Sequence, residues 1–268
     1  MQESGKKRPL ALVTGASSGI GLELARLHAS RGGDLVLVAR SRDKLAQLKG
    51  ELEGRHGGRV TVMARDLSKP GAARQVFEAV RDAGLEVDYL VNNAGFGGAG
   101  AFHERPWEDD RAMIRLNILA LTGLTRLFLP GFVRRGSGRV LNVSSTASLM
   151  PGPMQAVYFA TKAYVTSFSN ALAEELRGTG VTVTALLPGA TDTGFARAAD
   201  LENAPIFTKI KAAGAAGVAR AGYEGMLKGR LNVLAGLSLG MRLQLALLPL
   251  APKSMVLRLV RRLQQTGE

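Results

Sequence analysis

The sequence predicts an α/β domain, a doubly wound parallel sheet of about seven strands with helices on both faces. Three observations carry that expectation. Short apolar runs alternate with helical stretches through the first 235 residues, the pattern that yields right-handed strand–helix–strand crossovers. A glycine-rich turn, Thr14 to Gly21, follows the first apolar run and leads into the first helix. Two later runs end in small or turn-forming residues, Asn92 to Gly95 and Pro188–Gly189, where a doubly wound sheet keeps its ligand crevice.

Leu10 to Val13 reads as the first strand and Ile20 to Ser30 as the first helix. Gly15, Gly19 and Gly21 permit a tight turn and close backbone approach, and with Ser17, Ser18 and Ile20 they offer the free N–H groups of a helix start to a pyrophosphate. Asp34 to Ala39 is the second strand, and Arg40 follows it. An acidic residue there would accept a ribose 2′-hydroxyl; an arginine, with Ser41 and Arg42 beside it, suits a 2′-phosphate or else forms a solvated basic turn. A helix from Asp43 to Arg55 and a third strand from Arg59 to Ala64 lead to Asp66 and Leu67, where Asp66 and Ser68 also suit a helix cap.

After a helix over Ala72 to Ala83, Val87 to Val91 is the fourth strand, ending in Asn92, Asn93, Ala94 and Gly95. Small residues there allow close packing, and an asparagine can tie neighbouring backbone segments together. A glycine-rich loop, Phe96 to Arg105, precedes helices from Trp107 to Phe132, which hold Asn117 in their interior. Mid-helix asparagine is mildly unfavourable, so Asn117 has a local job or lies on an exposed face. Arg139 to Val143 is the fifth strand, Gln155 to Arg177 a helix and Val181 to Leu187 the sixth strand, broken by Pro188 and Gly189 ahead of Thr191 and Thr193. Phe195 to Lys211 lacks periodicity and is the expected place for a mobile lid. A helix over Ala212 to Lys228 then leads to a seventh strand, Leu231 to Ala235.

Residues 1–235 are thus expected to form one domain, with 236–268 a helical extension packed on it or on a partner. Gly236 to Leu250 is apolar but is rejected as a membrane span, because part of the run belongs to the last strand and a central Arg242 would cost about 3 kcal/mol. Lys253 to Gln264 is a basic amphipathic helix. Val256, Leu259, Val260 and Leu263 share one face and Arg258, Arg261 and Arg262 the other. Such a helix packs on its own protein or a sister subunit, or lies on an anionic membrane.

The chemistry is concentrated between Leu141 and Lys162. Tyr158 and Lys162 are four apart on one expected helix, so they share a face. Ionising a phenol at neutral pH needs about 4 kcal/mol, which one ammonium at ~4 Å and an effective dielectric of ~20 supplies. Lys162 would then make Tyr158 a usable acid or base. Ser145 ends the fifth strand, and the turn enforced by Pro151, Gly152 and Pro153 can bring it back beside Tyr158 to hold a carbonyl oxygen.

Composition narrows the classes. Hydrophobic content of 46% with 21% charged residues is that of a globular chain. The absence of cysteine excludes disulfides, thiolate metal sites and a cysteine nucleophile, and the three scattered histidines predict no metal. The net charge of +13 is spread along the chain without an aromatic-interleaved patch, so no nucleic-acid partner is expected. The N-terminus passes into the first strand without a separate apolar signal region, and a cytoplasmic protein is expected.

Ser145, then Tyr158 thirteen residues on, then Lys162 resembles the active-site motif of the short-chain dehydrogenase/reductase family. Thr14–Gly21 (TGASSGIG), Asn92–Gly95 (NNAG) and Pro188–Thr193 (PGATDT) resemble its other signatures, in family order. NNAGFGGAGAF and the long C-terminal region look most like a bacterial branch of ketone, steroid and 3-oxoacyl reductase-like members. The resemblance implies a Rossmann fold and hydride transfer between NADP(H) and a carbonyl or secondary alcohol. It gives Asn117 a place beside Ser145, Tyr158 and Lys162 as the fourth catalytic residue, with its backbone holding a water on a proton path. It sets Asp66 and Leu67 at the adenine, Asn93, Ala94 and Gly95 along the cofactor, Lys162 on the nicotinamide ribose, and Pro188, Gly189, Thr191 and Thr193 at the carboxamide end. A homo-oligomer and a small, lipophilic substrate are expected. The competing readings are a non-catalytic NADP(H) sensor and a membrane-associated scaffold on the same fold.

Overall fold

The computed structural model describes residues 8–195 and 212–264. Its main sheet has seven parallel strands in the order β3-β2-β1-β4-β5-β6-β9. These are β1 (Leu10–Thr14), β2 (Asp34–Ala39), β3 (Val60–Ala64), β4 (Tyr89–Asn92), β5 (Gly138–Val143), β6 (Val181–Pro188) and β9 (Asn232–Ala235). Strands buried on both faces carry continuous apolar runs rather than alternation. In β2, Leu35 to Val38 are all fully buried.

One face is covered by α1 (Gly19–Ser30), α2 (Arg42–His56) and α7 (Ala215–Leu227). The other is covered by α3 (Ala72–Asp82), α5 (Leu121–Arg135) and α6 (Ala156–Glu175), with α4 (Trp107–Ile114) packed on α6. Leu24, Leu45, Leu48, Leu52 and Tyr223 fill the first core; Val76, Leu124, Phe128 and Phe132 fill the second. The strand order reverses beside β1, where β2 pairs with one edge and β4 with the other. That switch point opens a crevice at the carboxyl ends.

Four features depart from the sequence reading. The helices over 107–135 are joined by a π-helical segment, Arg115–Ala120, a widened turn that commonly marks a functional position. A 3₁₀ turn, Thr146–Leu149, follows β5. A two-residue pair, β7 (Thr191–Asp192) with β8 (Ala213–Gly214), ties the chain together past β6. The apolar stretch after β9 forms α8 (Leu239–Leu247), none of whose residues is buried. The expected lid falls almost wholly outside the described residues. By length and composition Trp107–Arg135 could cross a membrane, but Met113, Leu124, Phe128 and Phe132 on it are core residues of this domain.

The last helix, α9 (Lys253–Gln264), turns its apolar face inward. Val256 and Val260 are buried against Met113, Ala147, Tyr158 and Phe159. The extension therefore closes over the carboxyl end of its own sheet.

Candidate active site

A cleft of about 540 Å³ runs along the carboxyl ends of the strands, within the range that small ligands occupy. The residues named from the sequence as catalytic or cofactor-binding line it, except Gly21 and Arg42 and except Asn117, which stands behind it.

At one end lies the β1–α1 turn. Gly15 has φ +65°, and a Cβ on it would lie 2.7 Å from Asn93 Nδ2; one on Gly21 would lie 2.4 Å from the Gly15 carbonyl oxygen. Only glycine lets helix and strand meet so closely. Ser18 caps α1 in extended conformation with no side-chain hydrogen bond, and no acidic residue occupies the first turn. The amides of the helix start are thus free for an anion. Asn93 fixes the turn from the next strand, its Nδ2 donating to the carbonyls of Thr14 at 2.9 Å and Gly15 at 3.3 Å.

Beyond β2, the exposed Arg40, Lys44 and Arg65 line the same end of the cleft. Asp66 is not the cap of a helix, since α3 starts at Ala72 behind Gly71 with no side-chain cap. Asp66 lines the cleft, and its Oδ1 accepts from Ser68 N at 3.0 Å and Ser68 Oγ at 2.7 Å. Burial raises its pKa, but those hydrogen bonds and the charges of Arg40 and Lys69 outweigh it, so the carboxyl sits below its usual range. A cradle without side-chain caps, followed by three cations, fits a phosphorylated dinucleotide.

At the other end are the reacting groups. Ser145 Oγ accepts from Ala147 N at 3.1 Å, and its side chain lies near enough to Tyr158 to draw the phenol's pKa down. Tyr158 is 8% exposed and Lys162 6%. Lys162 Nζ donates to the Val143 carbonyl at 2.9 Å and lies 5.8 Å from the centre of the Tyr158 ring.

The sequence reading that Lys162 acidifies Tyr158 needs correction for the ligand-free protein. Burial pushes the phenol up to about 12 against a smaller downward pull from Ser145. Burial also pulls Lys162 down to about 8. Desolvation penalises whichever form carries charge, so at neutral pH Tyr158 is a protonated donor. One helical turn does bring the two side chains together, but the amine is held on a strand carbonyl.

Asn117 is buried, so the alternative of an exposed helix residue is excluded. Its Nδ2 donates to the Phe96 carbonyl at 2.9 Å and Thr161 Oγ1 at 3.0 Å, and its Oδ1 accepts from Phe96 N at 3.2 Å. Gly95 separates it from the amine: a Cβ there would lie 3.0 Å from Asn117 Oδ1 and 3.4 Å from Lys162 Nζ. Asn92 is structural, its Nδ2 donating to Thr125 Oγ1 and Asn142 Oδ1.

The wall beyond Tyr158 escaped the sequence reading. It comprises Met150, Gln155, Phe159 and Phe195, together with Val260, Leu263 and Gln264 from α9. The amphipathic period of α9 was legible, but not which surface its apolar face would cover.

The short chain dehydrogenase family model matches residues 9–204, which include β1, the turn, and Ser145, Tyr158 and Lys162. The chain belongs to the short-chain dehydrogenase family. Among its relatives, the very-long-chain 3-oxoacyl-CoA reductase of Homo sapiens is 37% identical over 193 residues, covering 70% of this chain and 61% of that protein. The chain thus spans about three fifths of the length of that curated relative. A short-chain dehydrogenase from Sphingobium yanoikuyae, solved in complex with NADPH, superposes with a TM-score of 0.81 at 32% identity, covering 97% of this chain and 99% of the other. The bulky-bulky ketone specific alcohol dehydrogenase from Comamonas testosteroni gives 0.78 at 29%, with 91% and 94% covered. Among the described residues of this family member, no group of three His, Asp or Glu could hold a metal.

Proposed function

We propose that this protein is an NADP(H)-dependent oxidoreductase that interconverts a lipophilic carbonyl compound and its secondary alcohol. The observation that carries this reading is a protonated, buried phenol beside Ser145 at one end of a cleft whose other end is an uncapped helix start flanked by Arg40, Lys44 and Arg65. Bound NADPH supplies the hydride to the carbonyl carbon.

This chain's residues supply the rest. The carbonyl oxygen accepts hydrogen bonds from Ser145 Oγ and Tyr158 Oη, and Tyr158 gives up its proton as the alcohol forms. Lys162, drawn down to about 8, can then pass a proton towards the phenolate, since it exchanges protons near physiological pH. Lys162 also holds the nicotinamide ribose, and Thr193, with Pro188, Gly189 and Thr191, orients the carboxamide end. Asn117 fixes Phe96 and the widened helical turn beside Lys162, and its backbone holds the water on the proton path. Arg40, backed by Lys44 and Arg65, selects the 2′-phosphate, while Asp66 and Leu67 bound the adenine.

The NADPH complex of the Sphingobium relative and the ketone specificity of the Comamonas one support cofactor and substrate class. Residues 1–235 act as the catalytic domain, and 236–268 as an extension that roofs it. A homo-oligomer forms through the outward faces of the π-helical segment Arg115–Ala120 and of α6, where Leu119 and Tyr164 are exposed.

The protein resides in the cytoplasm, with peripheral contact at anionic membranes. The inward face of α9 is already occupied, so that contact runs through its exposed Leu259 with Arg258, Arg261 and Arg262, and through Leu239, Leu243 and Leu247 of α8.

Following NADPH absorbance across aldehydes, ketones, quinones and 3-oxoacyl thioesters tests the central reading. Turnover of at least one lipophilic carbonyl is expected. NADPH binding without turnover across the panel would favour a non-catalytic sensor.

A further inference from the structure

Two buried amides stand at the far end of the cleft. Gln155, at the N-cap of α6, and Gln264, in the last turn of α9, are each 4% exposed. Both line the cleft that holds Tyr158, and Gln155 Nε2 donates to Gln264 Oε1. Around them the wall is apolar: Met150, Phe159, Val260 and Leu263. Gln155 Oε1 is buried and has no hydrogen-bond partner.

An amide carbonyl left unpaired among apolar groups is costly, whereas two aliphatic side chains at these positions would leave no polar group unpaired. Each such atom in a folded protein calls for an explanation. Here the atom belongs to a residue that lines the same cleft as the proton donor and stands three positions before it in the chain. The surrounding wall carries no charge to pair with an ionised group.

We propose that Gln155, held by Gln264 of the C-terminal helix, is a substrate subsite. Its Oε1 accepts a hydrogen bond from a hydroxyl or amide N–H on an otherwise apolar, uncharged ketone, a few bonds from the reacting carbonyl. Gln264 is a positioning residue that keeps the amide turned so that the carbonyl, not the NH₂, meets the ligand. This deepens the oxidoreductase reading and rests on it. A site built to pair with a donor discriminates against analogues lacking it far better than an apolar pocket sorts by size.

The test uses full-length Tyr158→Phe with NADPH bound, in which turnover does not interfere with affinity. Dissociation constants are measured for meta-hydroxymethylacetophenone and its near-isostere meta-ethylacetophenone. The hydroxyl compound is expected to bind about tenfold tighter. Adding Gln155→Leu should bring the ratio close to one, and Gln264→Leu should lower it. The ratio cancels any general loss of affinity, and NADPH titration of each variant checks its fold; Gln155→Met replaces a variant that fails that check. Equal affinities in the parent, or a preference that survives loss of Gln155, would overturn the subsite. If NADPH binds and neither ketone does, the carbonyl-site reading itself fails and the subsite with it, a result distinct from equal, measurable binding.

Discussion

Lys162 holds a costly position. Its amine is buried and drawn down to about 8 from 10.5, a desolvation penalty of about 3 kcal/mol at neutral pH. The sign follows from proton binding. Between pH 8 and 10.5 the unfolded chain holds more protons than the folded one, so the ligand-free protein gains stability as pH rises through that window. Above pH 10 Tyr158, pushed up to about 12, works the other way. Lys162→Met gives up the bond to Val143, about 1 kcal/mol, yet it should stabilise the ligand-free fold at pH 7 by about 2 kcal/mol, or ~4–8 °C in melting temperature. Its stability should also lose the rise between pH 8 and 10, as calorimetry across that range would show. Arg40 makes a second residue-scale case. Arg40→Ala should weaken NADPH binding by about 10- to 100-fold, the worth of a charge-assisted hydrogen bond, and change NADH binding little. Titration with both cofactors measures this. The i, i+4 spacing of Tyr158 and Lys162 was legible in the chain, but their proton affinities were not, because those depend on burial by segments as distant as Val256 and Val260.

Among the elements, α9 divides the cleft's two ends. Val260, Leu263 and Gln264 reach only the wall beyond Tyr158, whereas the cofactor end is built from the β1–α1 turn and the loops after β2 and β3. Truncation after Pro252 should therefore raise the KM for a carbonyl substrate at least about tenfold, through lost burial of apolar surface, and leave NADPH affinity within about threefold. Steady-state kinetics alongside NADPH titration separates the two. The seven strands of the main sheet, though not β7 and β8, could be read from the sequence to within two residues, because strands buried on both faces advertise themselves as continuous apolar runs. The π-helical turn at Arg115–Ala120 could not. It holds Asn117, whose tertiary bonds reach Phe96 and Thr161.

At the scale of the whole molecule, residues separated by most of the chain meet at the carboxyl ends of the strands. Gly15, Asp66, Asn93, Tyr158 and Thr193 come from different crossovers and line one cleft. Strand order makes this possible, since the reversal beside β1 parts the helices on the two faces. Tyr158 is proposed as the proton donor of a carbonyl reduction at these carboxyl ends. The most direct test is Tyr158→Phe in the full chain, following NADPH oxidation with a carbonyl substrate of the parent and thermal stabilisation by NADPH. The account predicts turnover reduced by at least about 10²-fold, the scale of general acid catalysis. It also predicts an undiminished melting shift, worth about 2.7 kcal/mol at a hundredfold excess over Kd. Turnover close to that of the parent protein would contradict it.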